Sequence, residues 1–294
     1  MKRMIEKADV LIEALPYIQR FRGEIIVVKV GGSTQEDPAH LERILTDVTF
    51  MESVGMRPVV VHGGGKAITR RMKEAGIEAR FVKGLRVTCG RTMAVIERVM
   101  NGEINPALVA ILEKTGALAR GIPGESIFKV TRKAEKDPAT GEVFDWGFVG
   151  EPDEVDVEPV KALLARGIVP VVTPLGRDAA GQVHNVNADS AAAVLAAALK
   201  ARKLAFVTDV PGLMRRPDDP ESILSTLKVG DVEDLIREGV IDGGMLPKVQ
   251  GSVAALQAGV RKVHMIDGRM PHSLLLEIFT DKGVGTEIVW DDQE

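Results

Sequence analysis

The sequence predicts an α/β fold, a mostly parallel open sheet covered by helices on both faces. Short β-branched runs without polar alternation recur along the chain, as strands buried on both faces do. Segments of helical periodicity lie between them. Several of the runs also stop on glycines or isolated polar residues, which is how parallel strands end where a ligand edge begins.

The elements follow in order. Met4, Ile5, Ala8, Leu11, Ile12 and Leu15 share one helical face, and Pro16 is expected to end or bend that helix. It precedes the first strand and has no obvious core to cover, so its stripe packs on its own domain or contacts another subunit. Strands are expected at Glu24–Val30, Arg57–Val61, Ile168–Thr173, Leu204–Thr208 and Lys262–Ile266. Helices are expected near 38–54, 66–75, 91–100, 105–115, 157–166, 189–201, 231–238, 246–258 and 271–281. The stretch 127–149 differs: Asp137-Pro138-Ala139-Thr140-Gly141 reads as a turn between β-prone flanks, hence an antiparallel hairpin. No solenoid repeat or low-complexity tract interrupts the chain. The alanine-rich helix near 189–201 is the best lobe boundary, dividing residues 23–200 from 201–294 within one continuous unit behind an N-terminal helix of residues 1–22.

A chain of 294 residues with 45% apolar and 27% charged residues suits one large α/β unit or two lobes. Aromatics at 4% argue against a stacking platform for single-stranded nucleic acid. A net charge of −4 without a basic run argues against nucleic-acid or anionic-membrane surfaces. The single cysteine, Cys89, forbids an internal disulfide or thiolate metal site and fits a reducing cytoplasm. No run is long and apolar enough to span a bilayer. Residues 1–13 lack the continuous apolar core of a standard signal peptide, and their acids argue against a transit peptide.

Four strand ends carry unusual residues. Lys29-Val30-Gly31-Gly32-Ser33 places a lysine inside an apolar run, where an ammonium calls for an anion or a carboxylate. Val61-His62-Gly63-Gly64-Gly65 stops an apolar run on three glycines before a helix, which is either a plain tight turn or an anion cradle. It is neither a Walker loop nor GxGxxG. Asn185-Val186-Asn187-Ala188-Asp189 leads into a helix, where Asn187 or Asp189 can serve as a cap. Gly243-Gly244-Met245-Leu246-Pro247-Lys248 sets a lysine at a helix N-terminus, where the macrodipole disfavours a cation unless an anion lies between. Two lysines, glycine-rich turns and one carboxylate at one sheet edge form the set that phosphoryl transfer needs, since that reaction rests on positioning and charge neutralisation. Arg86, in Gly84-Leu85-Arg86-Val87-Thr88, is a surface charge or a fork for a substrate carboxylate. No Cys/His cluster suggests a protein-built zinc site.

These segments, with Leu11-Ile12-Glu13-Ala14-Leu15-Pro16-Tyr17-Ile18 and Thr208-Asp209-Val210-Pro211-Gly212-Leu213, resemble the N-acetylglutamate kinases of the amino acid kinase family over roughly residues 5 to 289. The resemblance implies a three-layer α/β/α sandwich with an N-lobe for the acid and a C-lobe for ATP. It implies ATP-dependent conversion of N-acetyl-L-glutamate to N-acetyl-L-glutamyl 5-phosphate, the second step of arginine biosynthesis, with magnesium (Mg2+) arriving on ATP. By the same resemblance Lys29 and Lys248 stabilise the transition state and Asp189 organises them. Gly64, Gly65, Arg86 and Asn185 hold the acid, Gly31 and Gly32 hug the phosphoryl group, and Thr208 and Asp209 line the nucleotide side. Members with such an N-terminal helix tend to be hexamers (trimers of dimers) inhibited by arginine. Tyr17, His264, Glu277 and Gly283 carry over as arginine-site positions, and a PII-type signalling protein is a further partner of some relatives. Ser33-Thr34-Gln35 and Arg120-Gly121-Ile122-Pro123-Gly124-Glu125 depart from the common pattern. A carboxylate or carbamate kinase of the same fold acting on another acid, and a catalytically weak arginine-sensing oligomer, stay open as alternatives.

Overall fold

A computed structural model describes residues 2–136, 143–216, 219–243, 245–280 and 283–291. Its elements run in chain order as α1 (Lys2–Phe21), β1 (Ile25–Val30), α2 (Pro38–Ser53), β2 (Arg57–His62), α3 (Gly65–Glu74), β3 (Phe81–Val82), β4 (Leu85–Arg86), α4 (Gly90–Val99), α5 (Asn105–Thr115), β5 (Leu118–Ile122), β6 (Phe128–Lys136) and β7 (Val143–Val155). They continue with α6 (Glu158–Leu164), β8 (Ile168–Val172), β9 (Leu175–Arg177), β10 (Val183–Val186), α7 (Ala188–Ala198), β11 (Lys203–Thr208), β12 (Thr226–Lys228), α8 (Val232–Arg237), α9 (Leu246–Gln257), β13 (Lys262–Asp267), α10 (Ser273–Ile278) and β14 (Thr286–Val289).

Eight strands form the central sheet in the order β12-β14-β13-β11-β1-β2-β8-β5. Every pairing is parallel except β13 with β14. This is the mostly parallel, helix-covered sheet that the apolar runs predict. Alternation along the strands separates its two faces. Val27, Val59 and Val61 pack with α7 and α9, through Ala191, Leu195 and Val249. Ile26, Val28, Val30 and Val60 pack with α2, α5 and α10, through Leu45, Leu108 and Leu274. Sheet and helices thus make three layers with a core on each side. Within the sheet the chain runs from β1 to β2, on to β5 at the edge and back to β8, then crosses to set β11 on the other side of β1. A crevice opens at the carboxyl ends of strands where the order reverses in this way.

The hairpin expected in 127–149 is present as antiparallel β6 and β7. Its tip, 137–142, lies outside the described residues. These strands join β9 and β10 in a small closed ring beside the main sheet. Helix α1 continues through Pro16 to Phe21, whose ring is buried, so the proline does not end it. Its apolar stripe does not pack on its own domain: Met4, Ile5, Leu11, Ile12 and Leu15 are exposed. Among the described residues no helix is long and apolar enough to cross a membrane.

Candidate active site

The carboxyl end of β1 carries Lys29, which shares the Val27 face and therefore points toward α7. Asn187 caps α7, accepting from the amides of Asp189 at 2.8 Å and Ser190 at 3.2 Å. That cap fixes the first turn and aims Asp189 at the sheet edge. Lys29 Nζ lies 2.7 Å from Asp189 Oδ1, and Lys248 Nζ, in the first turn of α9, donates to Oδ2 at 2.9 Å. Lys29 and Asp189 are buried, while Lys248 is half-buried. Burial works against the charge on Asp189, yet the two ammonium groups outweigh it and hold the carboxyl at about 2. Burial lowers Lys29, and the nearby Asp189 opposes that shift. Within this triad one carboxylate faces two ammonium groups, an excess of positive charge that an incoming anion can neutralise.

A Cβ at Gly31 would meet the Nζ and Cε atoms of Lys29, so any larger residue there would push the lysine off its present position. At Gly64 a Cβ would come within 2.5 Å of Met100 Sδ and 2.8 Å of Ile104 Cδ1. The strand end therefore lies directly on the neighbouring helix. Gly64 and Gly65 join Lys29, Arg86, Asn185 and Asp189 around one cavity of about 680 Å³. Arg86 is buried and bonds the Gly65 carbonyl at 2.9 Å and Thr69 Oγ1 at 2.8 Å, while its guanidinium stacks 4.6 Å from the Phe81 ring centroid. Among the described residues it has no carboxylate in an ion pair, so its charge is turned to the cavity rather than spent on a neighbour.

The nucleotide-side candidates lie across β1 from this cavity. Register pairs Lys29 with Val61 of β2 on one side and with Phe206 of β11 on the other. Thr208 ends β11, and its hydroxyl is bonded within its own turn to Val210. Asp209 acts electrostatically on Lys29. The unusual loop residues tie this region together: Thr34 Oγ1 donates to the Thr208 carbonyl at 3.2 Å and Gln35 Nε2 to the Val30 carbonyl at 2.9 Å. Gly32 begins the short 3-10 turn that holds both. In the other departing segment, Glu125 accepts from Asn101 Nδ2 at 2.8 Å.

A second cavity, of about 450 Å³, opens at the opposite sheet edge. Tyr17, His264, Glu277 and Gly283 all line it, with Lys203 and Arg20. Glu277 is buried 2.9 Å from Lys203 Nζ and 2.7 Å from His264 Nδ1, and it accepts the Val284 amide at 3.0 Å. Burial opposes its charge, but the contacts with His264 and Lys203 hold the carboxyl at about 2. Burial lowers His264. Lys203, Thr69 and Phe81 were not singled out from the sequence. Lys203 opens a buried strand, directly after Arg202, at the start of the apolar run rather than inside it.

The family model described as the amino acid kinase family matches residues 24–267. A Pelotomaculum thermopropionicum protein named acetylglutamate kinase is 48% identical over 288 residues, covering 96% of this chain and 98% of that protein. An Archaeoglobus fulgidus protein of the same name is 43% identical, covering 97% and 99%. The solved N-acetylglutamate synthase of Neisseria gonorrhoeae, complexed with coenzyme A and N-acetyl-glutamate, superposes with a TM-score of 0.82 at 25% identity, covering 97% of this chain and 64% of that one. Giardia lamblia carbamate kinase bound to AMP-PNP shares the fold at a TM-score of 0.66 and 17% identity, covering 92% and 99%. The matched span runs from β1 to β13 and contains Lys29, Asp189 and Lys248, and with it the chain belongs to the amino acid kinase family.

Proposed function

We propose that this chain transfers the γ-phosphoryl group of ATP to the side-chain carboxylate of N-acetyl-L-glutamate, forming N-acetyl-L-glutamyl 5-phosphate in arginine biosynthesis. The observation that carries this reading is the Lys29–Asp189–Lys248 cluster, which borders a cavity that also holds the Arg86 guanidinium, without a carboxylate partner among the described residues. Near full-length identity to proteins named acetylglutamate kinase supports the choice of acid.

The chemistry follows from the charges. The acceptor carboxylate is already ionised at neutral pH, so no base has to remove a proton. One of its oxygens attacks the γ-phosphorus in line, and the bond to the β–γ bridging oxygen breaks as ADP leaves. Lys29 and Lys248 neutralise charge on the moving phosphoryl and the leaving oxygen, with Asp189 setting both ammonium positions. Arg86 takes the acid's remaining carboxylate, Asn185 and the amides of Gly64 and Gly65 hold the rest, and Gly31 and Gly32 sit against the phosphoryl group. ATP would lie toward Thr208 and Asp209, in the C-terminal lobe (201–294), and the acid in the N-terminal lobe (23–200). Both oxygens of Asp189 are committed to lysines, so magnesium would be held by phosphate oxygens and water.

The second cavity favours an added reading, an arginine site. Glu277 suits a guanidinium, and Tyr17, His264 and Gly283 surround it. Helix α1 borders this cavity and exposes an apolar stripe, which fits assembly into a hexamer. Removing residues 1–20 then lowers the mass seen by light scattering and weakens arginine inhibition; an unchanged mass contradicts the assembly role.

The test of the main reaction is ADP release with ATP, magnesium and a panel of N-acetylglutamate, glutamate, N-acetylaspartate and carbamate. N-acetylglutamate gives the highest kcat/KM if the reading holds. A higher value for another acid reassigns the substrate, and ADP release independent of any acid rejects the reading.

A further inference from the structure

One group beside the acid cavity has no part in the scheme above. His62 ends β2 on the Val60 face, turned toward α5 rather than toward Lys29, and it is fully buried. Its Nδ1 lies 2.9 Å from the carbonyl of Gly63, and its Nε2 lies 3.2 Å from Asn105 Nδ2. Asn105 Nδ2 also donates to the Val171 carbonyl at 2.9 Å.

These three contacts fix the proton. A carbonyl at Val171 can only accept, so the atom facing it is the Asn105 amide nitrogen and not its oxygen. The second hydrogen of that nitrogen points at His62 Nε2, which must therefore accept. The ring proton then resides on Nδ1 and is donated to Gly63. Burial lowers the imidazole to about 4, consistent with a neutral ring. The Gly63–Gly64 peptide is trans, so holding its carbonyl toward His62 turns the Gly64 N–H the opposite way. Gly64 lines the cavity that contains Lys29 and Arg86.

Asn105 reaches His62 through an irregular backbone. Met100–Ile104 form a π-helical turn between α4 and α5, and the Asn105 amide bonds back five residues to the Met100 carbonyl. Such an inserted residue redirects the side chains around it and recurs at functional sites. Here the same turn sets Met100 and Ile104 against Gly64 and Asn105 against His62.

We propose that His62 and Asn105 are positioning residues, a polar relay that locks the Gly63–Gly64 peptide with its N–H presented to the bound acid. The proposal rests on the acid-kinase reading for what the amide holds, and on geometry alone for the orientation of the peptide.

The experiment has two arms. Nitrogen-15 NMR of the ligand-free protein reads the His62 tautomer without any substrate. Protonated Nδ1 and bare Nε2 are expected, and the reverse tautomer overturns the proposal whichever acid is phosphorylated. In the second arm, the amide of Asn in His62→Asn reproduces the Nδ1 donor, whereas that of Gln in His62→Gln falls at the Nε2 position. His62→Gln and Asn105→Leu should lower kcat/KM for the acid by about tenfold or more, while the KM for ATP moves less than about twofold. His62→Asn should recover most of that loss. A His62→Gln enzyme as active as His62→Asn, or an equal rise in both KM values, overturns the proposal. Wild-type protein inactive on every acid would instead reject the reaction, leaving the tautomer result to decide the relay.

Discussion

The two sheet edges carry charge clusters that differ in their balance. At the carboxyl edge two ammonium groups, Lys29 and Lys248, converge on one carboxylate, Asp189. At the amino edge two carboxylates, Glu277 and Glu287, converge on one imidazole, His264, and each also meets a lysine, Lys203 or Lys262. Among its direct ion pairs the first cluster holds a surplus of positive charge beside bare glycine backbone, with the Asp209 carboxylate also acting on Lys29, and the second is balanced within itself. A surplus needs an anion to complete it, and phosphoryl transfer brings one that grows in charge density at the reacting oxygens. A balanced cluster needs nothing to be stable, and a ligand enters it by exchanging partners with groups already paired. On the proposed reading, the difference separates a site that works on its ligand from one suited to sensing it.

The largest expected effect attacks the surplus. Lys248→Ala or Lys29→Ala should lower kcat by about a hundredfold to a thousandfold with smaller changes in KM, because those charges count most in the transition state. Unchanged turnover would remove the distinction between the edges. Next is Arg86→Lys, which keeps the charge but loses the planar fork held by Gly65, Thr69 and Phe81. Its kcat/KM for the acid should fall by about tenfold to a hundredfold, with ATP kinetics little altered. At the other edge, Glu277→Gln should weaken arginine binding by about tenfold in calorimetry, since a carboxylate–guanidinium bond becomes a neutral one. Equal affinity in that variant would take the arginine site away from Glu277.

A further effect, read in a different assay, is on stability. Asp189 and Glu277 are each held at about 2 in the folded chain, below ordinary values of 3.8 and 4.5. Their ionised forms therefore stabilise the fold fully above the ordinary carboxyl range, and that contribution drains away as pH falls from about 4.5 toward about 2. The shifts correspond to about 2 kcal/mol at Asp189 and about 3 kcal/mol at Glu277. Urea midpoints measured from pH 6 to pH 2 should drop through this window, and Glu277→Gln should flatten the drop. A parallel curve for the variant would show that the balanced cluster does not store acid-labile stability.

The sheet was legible because its central strands are buried on both faces and leave unbroken apolar runs. Arg57–Val61 extends by one residue to His62, and Leu204–Thr208 gains Lys203. The strands β3, β4, β9, β12 and β14 were not legible, since each has only two to four residues and no periodicity can establish itself over that length. Pro16 misleads for a different reason. A proline removes one hydrogen bond, but Tyr17, packed on Phe279, and buried Phe21 anchor the turn beyond it. Within the candidate site, Lys29 declared itself as a charge in an apolar strand, and Asp189 and Lys248 as charges at helix starts. Lys203 was passed over because a charged residue at the first position of a strand is ordinary in sequence. Its burial against Glu277 is visible only once β11 is paired with β13 and α10 is folded over them. Asn105 left no signal at all. It reads as a helix start before Pro106, and the π-helical turn that aims it at His62 has no compositional mark.

The most direct test of the surplus-charge edge as a phosphoryl-transfer site is to trap its product. The protein is incubated with ATP, magnesium, N-acetylglutamate and hydroxylamine, which converts an acyl phosphate to a coloured hydroxamate. Hydroxamate should form in step with ADP in the wild-type protein and fall with the loss of Lys248. No acid-dependent hydroxamate from the wild type, or the same yield from Lys248→Ala, would contradict it.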